Sequence, residues 1–160
     1  MKKTILKRKR EGKTDYKKRL SLLKSRKARL VVKRALKNIY VQVIKYEPDG
    51  DKILVSSNSN MLKRYGWKFH GGNIPAAYLT GLLCAVRAKE KGVKEAIVDL
   101  GLYKDIKGNA IYAAVKGVID GGLNVPCSKE VFPKEDRIQG KHINENIQKS
   151  FQEVKEKILK

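Results

Sequence analysis

Residues 29–46, RLVVKRALKNIYVQVIKY, decide the fold. Ile39, Val41 and Val43 alternate with Tyr40 and Gln42, a period of two that branched side chains favour in a half-buried strand. The short connector Ala35 to Asn38 leaves room for a reversal and nothing more, so the spacing predicts strands near 29–34 and 39–46 paired as an antiparallel hairpin. Pro48, Asp49 and Gly50 then signal a turn, and residues 52–57 complete a three-stranded meander.

Toward the C-terminus the period changes. MLKRYGWKFHGGN, beginning at Met61, has no regular periodicity and reads as a loop closed by Gly71 and Gly72. Asn73 as N-cap and Pro75 in the first turn open a helix that ends at Gly92, with a stripe of Ala77, Gly81, Cys84, Ala85 and Ala88 suited to close approach to a sheet. Residues 95–100 form a fourth strand. Gly108 and Asn109 open a second helix on which Ile111, Ala114, Val115, Val118 and Ile119 line one face. Residues 125–141 read as loop, and Ile143, Ile147, Phe151, Val154 and Ile158 predict a last amphipathic helix that docks on the body or on a partner. The order β-β-β-α-β-α predicts an α/β domain with a mixed β-sheet, spanning 28–126, with a basic tail at 1–27 and a C-terminal extension at 127–160.

Toward the N-terminus the sequence is dominated by charge. Sixteen of the 37 Lys and Arg fall in the first 34 positions, where Glu11 and Asp15 alone oppose them, within a chain of net charge +21. Such a stretch repels itself when compact and calls for a polyanion. It also has too few apolar residues for a packed core, so the tail is expected to order on binding. Within it Tyr16, Leu20 and Leu23 are spaced for a short basic helix that Asp15 can cap. Ile5 and Leu6 are followed at once by four cations, so no signal peptide is expected. No stretch nears the roughly 20 apolar residues of a membrane span. The expectation is a soluble, cytoplasmic protein with no membrane association.

Lys24, Arg26, Lys27, Arg29, Lys33 and Arg34 carry the basic character from the tail into the first strand. There Arg29 and Lys33 share one face with Val31, and phosphate binding is favoured over an ordinary solvated surface. The 63–70 loop mixes Lys63, Arg64, Lys68 and His70 with Tyr65, Trp67 and Phe69, cations for phosphates beside rings for bases, although Trp67 is equally suited to plug a core. Against this stands a metal-dependent nuclease built on Asp99 and Asp120, with Asp105 nearby; a basic module for acidic proteins is a third option. Asp120 lies on the polar side of its helix and Asp105 among lysines. His70 and His142 lack nucleophilic partners, and Cys84 and Cys127 belong to no zinc motif. No catalytic residue, metal or cofactor is expected.

DYKKRLSLLKSRKARLVVKRALKNIYVQVI, then YGW, GNIPAAYLTGLL, DLGL and GNAIYAAVKGVIDGGLNVP, together covering about residues 15–126, resemble the large-subunit ribosomal protein family that binds 5S rRNA (the L-eighteen family), in its archaeal/eukaryotic form. The resemblance implies a mixed α/β body, a tail laid along RNA and a place in the central protuberance. It implies 5S rRNA, the 23S-type large-subunit rRNA and neighbouring ribosomal proteins as partners. Carried onto this chain, RNA contacts fall on the tail cations Lys7, Arg8, Lys9, Arg10 and Lys13, on Tyr16, Arg19, Lys24, Arg26, Lys27 and Arg29, and on the 63–73 loop, including Asn73.

Overall fold

The computed structural model describes residues 5–160; Lys2 and Lys3 of the expected tail lie outside them. The meander forms as strands β1 (Arg29–Arg34), β2 (Ile39–Lys45) and β3 (Lys52–Asn58). β1 pairs antiparallel with β2 from Arg29 opposite Ile44 to Arg34 opposite Ile39, and β2 pairs antiparallel with β3 through a register irregularity at Val43 and Ile44. The fourth strand, β4 (Ile97–Asp99), joins parallel to the other edge of β1, giving the order β3-β2-β1-β4. The sheet is mixed and the fold is α/β.

Two short helices precede the sheet: α1 (Lys7–Arg10) and α2 (Tyr16–Leu23). Asp15 caps α2, its Oδ1 accepting from the Lys17 and Lys18 amides at 3.0 and 3.2 Å. The remaining helices are α3 (Ile74–Glu90), α4 (Ala110–Asp120), α5 (Glu135–Gln139) and α6 (Glu145–Leu159). Asn73 and Asn109 cap α3 and α4, each accepting from the amide three residues on at 2.9 Å, which satisfies one of the donors a helix start leaves open.

The pleat sorts the sheet's residues. Leu30, Val32, Ile39, Val41, Val43 and Val55 are buried in one core with α3 and α4. Arg29, Val31, Lys33, Tyr40, Gln42 and Ile44 occupy the alternate positions and share the opposite face. The small-residue stripe of α3 is split between two neighbours. Cys84 lies under the sheet, its Sγ 3.7 Å from the Val41 carbonyl. Gly81 serves the other helix: a Cβ there would come within 2.0 Å of the Ala114 carbonyl oxygen, and one on Gly117 of α4 within 2.1 Å of the Tyr78 carbonyl oxygen. The expected approach to the sheet is therefore also a backbone-to-backbone crossing of two helices.

Two loop readings are corrected. Ser59–Tyr65 is a 3-10 helix, begun by Asn58, whose Oδ1 accepts from the Met61 amide at 3.1 Å; its tighter winding leaves no 3.6-residue pattern to read. Residues 125–141 contain a 3-10 turn (Lys129–Val131) and α5. The terminal stripe settles on the body: Ile147, Phe151, Val154 and Ile158 are buried with α3 in the common core, while Ile143 precedes the helix and stays exposed.

Candidate nucleic-acid interface

The expected RNA-contacting residues fall into three groups: cations the fold withdraws, cations it leaves open, and residues engaged in holding the backbone. Arg29 is the clearest of the first. It is 4% exposed, its Nη1 donates to Asp99 Oδ2 at 2.7 Å and its Nη2 to Asp51 Oδ2 at 2.7 Å. Arg19 of α2 reaches the other oxygen of the same Asp51 at 3.0 Å. Asp99 in turn accepts from the Gly101 amide at 2.9 Å. A buried guanidinium is tolerated only when such partners replace its water. Arg29 is thus a corrected assignment: it ties β1 to β4 and to the start of β3, and offers no free charge to a phosphate. Arg19 anchors α2 against the sheet, helped by Lys18, whose Nζ donates to the Gly101 carbonyl at 3.2 Å.

Trp67 takes the core half of its double reading. At 2% exposure it plugs the core, its ring edge-on to Phe69 at 5.5 Å between centroids, so it presents no stacking face. Asn73 spends its side-chain oxygen on the Ala76 amide. His70 is exposed, with Nδ1 accepting from the Gly72 amide at 3.1 Å.

The open cations lie on both sides of β1. Lys24 and Arg26 are exposed between α2 and β1, and their side chains make no ion pair among the described residues. Lys27 beside them pairs with Glu95 at 2.7 Å, both about half exposed, a contact worth little in water. At the far end, Lys33 and Arg34 run into the hairpin turn, where Leu36 is 95% exposed. The backbone of Arg34 is held by Tyr103, whose hydroxyl donates to the Arg34 carbonyl at 2.8 Å and accepts from its amide at 3.2 Å.

The fold brings the 63–73 segment to this same turn. A Cβ on Gly72 would lie 2.8 Å from the Leu36 carbonyl oxygen, and one on Gly71 3.0 Å from that of Lys37; only glycines let the two loops touch. Lys33, Arg34, Lys37, Lys68 and His70 therefore belong to one basic corner, with Lys63 and Arg64 exposed on the preceding 3-10 helix. In the tail, Lys7, Lys9 and Arg10 are exposed on α1, Arg8 donates from Nε to Thr14 Oγ1 at 2.9 Å and Lys13 pairs with Glu11 at 2.9 Å. Tyr16 is half-buried on α2.

The carboxylates weighed for catalysis have structural partners. Asp99 belongs to Arg29, Asp120 accepts from the Tyr78 hydroxyl at 2.8 Å, and Asp105 accepts from the Tyr112 hydroxyl. The residues missed from sequence are Asp51, Tyr103 and Lys37. A lone acid after a Pro-Asp-Gly turn was the available signal for Asp51.

These features define a small basic α/β scaffold whose carboxylates Asp51, Asp99, Asp105 and Asp120 are engaged and whose cations at Lys24, Arg26, Lys33 and Arg34 are displayed. The family described as "Ribosomal large subunit proteins 60S L5, and 50S L18" matches residues 2–95. The "Large ribosomal subunit protein uL18" of Korarchaeum cryptofilum (strain OPF8) is 54% identical over 141 residues, which span 88% of this chain and 72% of that relative. The chain belongs to this family of large-subunit ribosomal proteins: it is a structural constituent of the large ribosomal subunit, and not an enzyme.

Proposed function

We propose that this chain binds 5S rRNA and helps attach it to the large-subunit rRNA in the central protuberance, with neighbouring ribosomal proteins as further partners. Residues 1–27 act as the RNA-binding arm, 28–126 as the platform and 127–160 as an extension whose helix α6 braces the platform. The reading is supported above all by the basic corner where the hairpin turn meets the 63–73 segment, continued along β1 to Lys24 and Arg26. Folded 5S rRNA is largely A-form helix, whose deep major groove excludes side chains, so recognition falls to backbone geometry and exposed 2′-hydroxyls. Cations on rigid elements suit that task because their positions are fixed before binding. With α2 anchored in advance by Arg19 and Lys18, less of an ordering cost of about 1–2 kcal/mol per backbone residue is left for phosphate contacts to offset on RNA.

Cross-linking on intact large subunits tests the assignment. Photoreactive groups placed at Lys24, Lys33 and Lys68 are expected to join 5S rRNA. Cross-links confined to other molecules would refute it.

A further inference from the structure

We infer that the groove between the end of α2 and the end of β2 holds one unpaired nucleotide of the bound RNA, with its base stacked on Tyr46. The inference rests on the RNA-binding reading above and names a site within it. The register that sets Arg29 opposite Ile44 brings the residues just before β1 alongside those just after β2. The result is a groove of 370 Å³ lined by Leu23, Arg26, Lys27, Lys45 and Tyr46, within the range of roughly 300–1,000 Å³ found for small-ligand clefts.

Its chemistry fits a nucleotide better than a protein side chain. Three of the five lining residues are cations, and none is acidic. Lys27 alone of the three has an acidic partner among the described residues, Glu95. Tyr46 is 49% exposed, and its hydroxyl has no hydrogen-bond partner among the described residues, so the ring is neither a core element nor a tether. An aromatic face beside cations binds a base by stacking and its phosphate by charge, and it does so without reading sequence. Trp67, the ring that sequence favoured equally for this work, is unavailable, which leaves Tyr46 as the exposed ring beside the 24–27 cations.

Arg26 adds an independent observation. Its φ of +55° makes it the one non-glycine residue in the left-handed region among the described residues. A side chain there is held against its own backbone preference, and such positions cluster at ligand clamps. Glycine would suit the turn better; arginine is present where the groove needs a charge.

Binding of the full chain to a 5S rRNA transcript, followed by fluorescence anisotropy at several salt concentrations, tests this. Tyr46→Ala and Tyr46→Leu are each expected to weaken binding about ten-fold with an unchanged salt slope, because a stack is lost and no phosphate contact is. Tyr46→Phe keeps the affinity. Arg26→Gly relieves the backbone yet lowers both affinity and salt slope, without loss of thermal stability. Unchanged affinity in Tyr46→Ala and Tyr46→Leu would overturn the site and leave the groove to a protein neighbour. Failure of the unaltered chain to bind the transcript would instead sink the RNA-binding reading, and the site with it.

Discussion

Arg29 at the start of β1 donates through Nη1 to Oδ2 of Asp99 at the end of β4, 2.7 Å away and shielded from water. The pair closes the parallel edge of the sheet, and Asp51 completes it from the other side. Removing one partner leaves charge buried without compensation. Arg29→Ala is therefore expected to cost about 3–5 kcal/mol of stability, read as a lowered urea midpoint, whereas Lys24→Ala leaves the midpoint unchanged. Equal midpoints for the two variants would show that Arg29 is a surface cation after all.

The crossing of α3 and α4 depends on two missing side chains. Gly81→Ala or Gly117→Ala drives a methyl into a facing carbonyl, at 2.0 and 2.1 Å in the unrelaxed geometry. Backbone cannot yield as a side-chain tip can, so each variant is expected to lose about 3 kcal/mol or more. Thermal denaturation by circular dichroism checks this, and midpoints equal to that of the unaltered chain would show that the two helices can part without cost.

Alkaline pH probes the core from within. Burial beneath the sheet pushes the Cys84 thiol from its ordinary 9.0 up to about 12. Between those values the unfolded chain gives up a proton that the folded chain keeps, so the stability this site contributes is intact below about pH 9 and lost as pH rises toward 12. Urea midpoints of the unaltered chain are expected to fall more between about pH 8 and about pH 10.5 than those of Cys84→Ala. Parallel curves would place the thiol in contact with solvent.

Each released counterion leaves a trace in the salt dependence of RNA binding. Replacing Lys24, Arg26, Lys33 and Arg34 with Ala is expected to lower the slope of log affinity against log salt by about 3, at roughly 0.7–0.9 per phosphate contact, with the circular dichroism spectrum preserved. An unaltered slope would mean that these cations face solvent in the complex.

Where function and fold used local patterns, they could be read in the sequence. The alternation of Ile39, Val41 and Val43 set the hairpin, Asp15 and Asn73 marked helix starts, and the stripe of Ile147, Phe151, Val154 and Ile158 gave α6. The failures share one cause: the deciding partner lies far along the chain. Arg29 looks like its basic neighbours until Asp51 and Asp99, 22 and 70 residues on, are brought to it. The aromatics of the 63–70 loop carry no local mark saying which turns inward, so Trp67 stayed balanced between core and ligand. Gly81 announced a close approach without naming α4 as the partner. Tyr46 follows directly on β2 and escaped notice because the groove beside it is made by the end of α2.

If this platform recognises a particular folded ribosomal RNA through displayed cations, competition binding will show it. At near-physiological salt, unlabelled 5S rRNA is expected to displace a labelled 5S transcript from the full chain far more effectively than an unrelated RNA duplex of equal length. Equal displacement by the two competitors would mean that the chain binds RNA by charge alone, without selecting 5S rRNA.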